Sequence, residues 1–223
     1  MAYDLRDIIK RYTDGNCDAI EVITVSAAEP GFEKAHIYAF YDLDHLSGAF
    51  AVDYMHILPP TRRQRCAAYQ RQRDRDACVL AYLLLLEGLR QQFGITGEIN
   101  FTFNQRGKPY LRDTPQIFFN ISHSGNNVVC AFAEREIGID IQELLPVNMG
   151  IARKVFSDSE VRLLEGSDNP RLLFCRLWTE KESYAKSRGA DLTSVFKRQL
   201  PAEGFVSWER KDAVMTLCWG ERD

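Results

Sequence analysis

Residues 117–142 read IFFNISHSGNNVVCAFAEREIGIDIQ. Three short runs rich in aromatic and β-branched residues stand in a row there: IFFNIS (117–122), VVCAFA (128–133) and IGIDIQ (137–142). Runs of that length and composition, broken by polar turn residues, read as three consecutive strands. Upstream, RGKPYL (106–111) reads as a turn leading into extended chain, and EINFTFN (98–104) alternates as a strand does. HIYAFY (36–41) and EVITVSA (21–27) read as earlier strands, with a turn at Glu29-Pro30-Gly31.

Helices surround these strands. Leu46–Leu58 looks helical and is ended by Pro59-Pro60. Thr61 is then expected to cap a helix through an arginine-rich stretch. Asp76–Phe93 is apolar on several faces, which predicts a core helix closed by Gly94. Past the three strands, Ser157-x-x-Glu160 is a capping-box pattern opening a helix through Leu164. Pro170 suits the first position of a second helix running to Ser187, with Gly189 as its stop. GFVSWER (204–210) and AVMTLCW (213–219) predict a hairpin around Lys211-Asp212. The expected class is α+β, with strands and helices in both halves. The turn near Arg135-Glu136 is the candidate boundary, giving halves 1–135 and 136–223.

The totals exclude several functions. The 223 residues carry a net charge of −3, so no global basic field for nucleic acid exists and any anion site must be local. The longest apolar run, Val79–Leu86, is too short for a membrane span and is interrupted by Tyr82. Met1–Tyr12 carries Asp4, Arg6, Asp7 and Lys10 and has no signal-peptide core, so a cytosolic protein is expected. Six cysteines are scattered without a C-x-x-C pair, which fits reduced thiols, several of them buried.

Chemistry concentrates in a few places. Period-2 alternation puts Ile139 and Ile141 on one face of a strand and Asp140 on the other, beside Gln142. Trp178, Glu182 and Lys186 are spaced i, i+4, i+8 and share a helix face. Alone, Asp140 would be a solvated strand end, and the Glu–Lys pair an exposed one worth only about 0.2–0.5 kcal/mol. Two carboxylates from different elements beside a lysine point instead to a hard cation that takes its other ligands from water and phosphate. Ser122 and His123 are adjacent on a strand, so they face opposite ways and cannot easily form a hydrolase dyad; no G-x-S-x-G elbow exists either. Before Gly125 they fit anion binding better. Lys108 lies between Gly107 and Pro109, where the glycine lets the backbone approach a ligand. Arg62, Arg63, Arg65, Arg71, Arg73 and Arg75 form one basic run suited to a small phosphorylated ligand.

Taken in order, FNISHSG (119–125), GIDIQ (138–142), FSDSE (156–160) and WTEKES (178–183) resemble the motifs of the surfactin-type 4'-phosphopantetheinyl transferases. The spacing from Asp140 to Glu182 also suits that family. The likeness extends loosely from HIYAFY to the C-terminal hairpin and leaves the first thirty or so residues unmatched. It implies two similar α/β halves meeting at a coenzyme A cleft. It implies transfer of phosphopantetheine from coenzyme A to a serine of an apo-carrier protein, acyl, peptidyl or aryl, releasing adenosine 3',5'-bisphosphate. Carried over by motif, Asp140 and Glu182 would hold Mg²⁺, with Glu182 also deprotonating the serine. Lys186 would contact phosphate. Lys108, Ser122 and His123 would face the coenzyme A phosphates, with Arg62 and Arg65 beside the 3'-phosphate. A monomer without membrane or nucleic-acid partners is expected.

The chain departs from the pattern at three places. Gln142 stands where a second strand carboxylate is common, so it is expected to reach the ion through a water. Ala77-Cys78 replace an Arg-Thr type pair, with Arg75 as the basic residue expected to stand in. Asp191 adds an acid near the site. Gln142 and Asp191 are the only support for an alternative, a non-catalytic binder of coenzyme A or carrier protein.

Overall fold

The computed structural model describes residues 5–13, 20–26, 34–46 and 49–220. The turn expected at Glu29-Pro30-Gly31, and Cys17, lie outside them. The chain divides into two compact units: residues 1–99 with 122–130, and residues 100–121 with 131–223.

In the first unit a short helix α1 (Leu5–Lys10) precedes strands β1 (Ile20–Ser26) and β2 (Lys34–Phe40). They pair antiparallel, Ile20 opposite Phe40 and Ser26 opposite Lys34. Helices α2 (Phe50–Tyr54), α3 (Pro60–Ala67) and α4 (Gln72–Phe93) follow. The single helix expected over 46–58 is instead α2 followed by a 3-10 turn, Met55–Ile57. It stops at Leu58, which precedes Pro59 and adopts ψ 140, as the proline ring demands. Thr61 caps nothing. Pro60 takes the first helical position, where its missing N–H costs nothing, and Thr61 falls inside the turn. The basic run is therefore split between α3 and α4.

Helix α4 is the core element. Leu80, Leu84, Leu85 and Leu89 are fully buried, each contributing about 1.5–3 kcal/mol. Its end is set by Gly94 in the left-handed region, φ 66. Its buried Asp76 accepts from the Ala51 N–H and from Gln72 Nε2, both at 3.0 Å, and so pins α2 to α4.

The second unit holds β3 (Phe101–Phe103) and β4 (Pro109–Leu111), a two-stranded hairpin. It is shorter than the strand read at 98–104, because the 104–108 turn takes Asn104 and the pairing ends at Phe101. Strands β5 (Phe118–Ser124), β6 (Asn127–Ala133) and β7 (Ile137–Glu143) lie where they were read. The larger sheet has the order β1-β2-β6-β5. Helices α5 (Met149–Val155), α6 (Asp158–Glu165) and α7 (Pro170–Ser187) come next, then β8 (Phe205–Glu209) and β9 (Ala213–Trp219). A second sheet runs β7-β9-β8, all antiparallel, with Asp140 opposite Thr216. Among the described residues no helix is long and apolar enough to cross a membrane. Five cysteines, Cys66, Cys78, Cys130, Cys175 and Cys218, are buried free thiols.

The capping box of α6 is complete. Ser157 Oγ accepts from the Glu160 N–H, and the Glu160 carboxylate takes the Ser157 N–H at 2.6 Å. Ser157→Ala leaves that carboxylate in place and removes only the first bond. We expect a loss of about 1 kcal/mol, read as a melting temperature lower by about 2–4 °C. An unchanged melting point refutes the capping role.

Candidate functional site

The site is built where α7 crosses the sheet formed by β7, β9 and β8. Alternation turns Gly138, Asp140 and Gln142 of β7, and Thr216 and Cys218 of β9, to one face. Gly138 lets that face close on the helix: a Cβ there would stand 1.9 Å from the Ser183 carbonyl oxygen and 2.5 Å from the Ser187 nitrogen. A buried hydroxyl chain continues the contact, Thr179 Oγ1 to Thr216 Oγ1 at 2.7 Å and on to Ser207 Oγ at 2.9 Å.

On this face Asp140 is 5 % exposed. Lys186 Nζ donates to its Oδ1 at 2.6 Å and to the Ile139 carbonyl at 3.3 Å. Glu182, one helical turn before Lys186, is half-buried. Burial pushes its carboxyl up from the usual range; the charge of Asp140 pushes the same way, and the Lys186 ammonium opposes both. So Asp140, Glu182 and Lys186 do share one site. Gln142 lies on the same strand face, opposite Val214.

Two like-charged carboxylates beside one ammonium suit a small hard cation, which completes its shell with water and ligand oxygens. Among the described residues no group of three or more His, Cys, Asp or Glu side chains converges. An ion here would rest on Asp140 and Glu182 alone for protein charge.

Trp178 stacks on Phe174, with ring centroids 6.1 Å apart, against a cluster of Ala152, Val155, Phe156, Val161 and Leu164. It seats α7 on α5 and α6. Lys181 of the WTEKES segment has no exposed surface; its Nζ pairs with Glu160 Oε1 at 3.1 Å and donates to the Arg198 carbonyl at 2.7 Å. The FSDSE acid therefore both caps α6 and neutralises a buried lysine of α7.

The end of α7 is fixed by a Schellman arrangement. Gly189 has φ 55, its N–H reaches the Lys186 carbonyl, and the Ala190 N–H reaches that of Ala185 at 2.9 Å. The 104–108 turn grips this end: Asn104 Nδ2 donates to the Gly189 carbonyl at 3.0 Å, and Arg106 pairs with Asp191. The acid that departs from the family pattern thus has its counter-charge within the same unit. Lys108 does not point into solvent. Its side chain is 7 % exposed, and its ammonium meets Glu136 and the carbonyls of Ile137 and Ser187.

The other expected residues lie in the first unit. Ser122 is buried and His123 exposed, on opposite faces of β5, so no dyad forms. Arg65 is exposed, and the Arg62 guanidinium lies over the Tyr82 ring at 5.7 Å. Arg75 is spent on the loop before α4, donating to the Tyr69 and Gln70 carbonyls and to Gln72. Arg73 instead reaches the turn after His123, donating to the Gly125 carbonyl at 3.0 Å and to Asn126 Oδ1 at 2.7 Å.

Sequence reasoning missed several supports, Glu136, Asn104 and Asn120, and placed Arg73 only in the basic run. Asn120 Oδ1 accepts the Ile139 N–H at 2.9 Å and so steadies the residue before Asp140. Its place inside FNISHSG was the available signal.

Comparison with known proteins adds two family matches. The 4'-phosphopantetheinyl transferase superfamily matches residues 136–213, and the family described as 4'-phosphopantetheinyl transferase, N-terminal, matches residues 49–135. The 4'-phosphopantetheinyl transferase Sfp of Bacillus subtilis (strain 168) is 33% identical over 183 residues, covering 79% of this chain and 82% of its own. The 4'-phosphopantetheinyl transferase gsp of Aneurinibacillus migulanus is 32% identical over 161 residues, 71% of this chain and 64% of its own. The putative 4'-phosphopantetheinyl transferase slr0495 of Synechocystis sp. is 30% identical over 164 residues, with 70% and 67% covered.

Proposed function

The chain belongs to the 4'-phosphopantetheinyl transferase superfamily and is an enzyme of that class, and from that premise we propose that it moves phosphopantetheine from coenzyme A to the serine hydroxyl of an apo-carrier protein. The carrier is of the acyl, peptidyl or aryl kind, and adenosine 3',5'-bisphosphate leaves. The observation that carries this reading is the convergence of Asp140, Glu182 and Lys186 on one largely buried face.

Glu182 takes the serine proton. Its place on α7, one turn before Lys186 and beside Asp140, puts a carboxylate oxygen within the site where the serine hydroxyl would be activated. Lys186 gives the buried Asp140 a charged partner and brings positive charge to the phosphates. Asp140 and Glu182 would hold Mg²⁺, with Gln142 reaching it through a water. When bound, the ion shields charge on the pyrophosphate and on the departing bisphosphate. The close β7–α7 contact buries Asp140, where its interactions with neighbouring charges are stronger than in water.

Coenzyme A phosphates fall to Arg62, Arg65, Ser122 and His123. Arg75 orders its own loop before α4, and the Gly107–Pro109 turn offers its backbone to a ligand. The two family matches meet between residues 135 and 136, which supports halves 1–135 and 136–223. The non-catalytic alternative gives way to the enzyme class that the relatives share, and Asp191 has a counter-charge in Arg106.

The test is mass spectrometry of apo-carriers incubated with the chain, coenzyme A and Mg²⁺. A panel should include fatty-acid, polyketide and nonribosomal-peptide carriers. We expect at least one to gain a phosphopantetheine, and to gain none when the metal is chelated. No gain on any carrier defeats the reading. Dephospho-coenzyme A should bind more weakly in calorimetry, because each lost charged hydrogen bond costs on the order of 1–3 kcal/mol. Equal affinities rule out a dedicated 3'-phosphate pocket.

A further inference from the structure

We propose that Glu136 is a positioning residue for the transfer step, holding the Lys108 ammonium across the carbonyls of Ile137 and Ser187 so that the strand of Asp140 and the helix of Glu182 and Lys186 keep one register. The inference rests on the function proposed above.

Lys108 Nζ has three hydrogens, and the structure gives it three acceptors: the Glu136 carboxylate, the Ile137 carbonyl at 3.2 Å and the Ser187 carbonyl at 3.4 Å. A saturated, buried ammonium has no donor left for a phosphate. Its acceptors are informative in themselves. Ile137 opens β7 three residues before Asp140, and Ser187 ends α7 directly after Lys186. One cation therefore ties together the two backbone segments whose side chains make the site. Among the described residues Glu136 is the carboxylate that pairs with that cation, and it also takes the Tyr110 hydroxyl, which burial and that contact push up to about 12.

The groups facing Lys108 are Glu136, the Tyr110 ring at 5.5 Å and the Cys218 thiol, with Arg135 and Arg188 acting on that thiol in turn. Burial lowers the Lys108 pKa and Glu136 opposes the fall. Removing the Glu136 charge takes away the larger of the two influences that oppose burial and leaves only the Cys218 thiol, so the ammonium loses its proton at a lower pH. The turn itself stays attached, because Asn104–Gly189 and Arg106–Asp191 hold it independently. Glu136 thus sets a charge state and a register and leaves the fold standing.

The experiment compares the full chain with Glu136→Gln, Glu136→Asp and the apolar double variant Glu136→Leu/Lys108→Met. kcat and the coenzyme A KM for carrier loading are measured from pH 6 to 10, with melting curves for each. Glu136→Gln should lose kcat about 10-fold, short of the ~10²-fold that a 1 Å misplacement can cost. Its coenzyme A KM should change less than about 2-fold, and the alkaline fall of kcat should begin at lower pH. Glu136→Asp should recover most of kcat. The double variant should fold and melt like the native chain yet keep a low kcat. Native kcat and pH profile in Glu136→Gln overturn the proposal. So does a raised KM at unchanged kcat, which would place Lys108 on coenzyme A itself, and so does native kcat in the double variant. If the native chain loads no carrier, both this inference and the proposed function fail; if it loads one while Glu136→Gln is indistinguishable, only this inference fails.

Discussion

Glu182→Gln should slow carrier loading by about 10²–10⁴-fold, the range over which a positioned acid or base acts. The substitution keeps the side chain's size and its place on α7, one turn before Lys186. It removes both the proton acceptor and one of the two negative charges on this face. The folded protein should not suffer. Burial and the Asp140 charge both disfavour an ionised Glu182, so a neutral amide relieves a penalty. Asp140→Asn should also lose most turnover but melt lower, since it leaves the Lys186 ammonium without its 2.6 Å carboxylate partner. Single-turnover mass spectrometry and thermal melts, run side by side, separate the two effects. A Glu182→Gln rate within about threefold of the native rate, against the span cited above, would sink the assignment.

Gly138→Ala should be among the most damaging single methyl groups that can be added to this chain. The new Cβ would stand 1.9 Å from a backbone oxygen and 2.5 Å from a backbone nitrogen of α7. Neither neighbour is the loose end of a flexible side chain, so the helix or the strand must move bodily. Overpacking of a core costs about 1–3 kcal/mol and occasionally more, and backbone on both sides puts this case at the upper end. A drop in melting temperature of about 6–12 °C follows for a chain of this size. Whatever folds should load carriers poorly, because the displaced α7 carries Glu182 and Lys186 away from Asp140. A melting point within a degree or so of native, at the resolution that relation allows, would show that the helix can step back.

Much of this was legible in the sequence because the signals were local. The Ser157–Glu160 box, Pro170 at the start of α7, Gly94 after α4 and the alternation of IGIDIQ each fix their element within a few residues. That the segments of Asp140, Glu182 and Lys186 belong to one site was legible from their motifs in family order, but the Lys186–Asp140 ion pair was not, since residues 46 positions apart meet by packing that no local pattern encodes. The helix read over 46–58 failed where aromatic and aliphatic content matched a helix but the approach to Pro59 forced tighter turns. Lys108 shows the other limit. A lysine between glycine and proline reads as an ordinary turn lysine, and only the tertiary fold brings Glu136 and two carbonyls around it. Helix α5 was signalled by Asn148, whose side chain accepts the Ile151 N–H, but the signal is one residue long.

The double use of Glu160 bears on how variants of this protein can be built. Segment 156–160 looks like a transplantable cassette, a buried Phe156 followed by a polar helix start. It is not one, because its last residue supplies the counter-charge to Lys181 inside another helix. A graft that brings in a different residue at 160 would have to bring its own partner at 181. Chimeras should therefore be cut outside 156–181, with both segments inherited from the same parent.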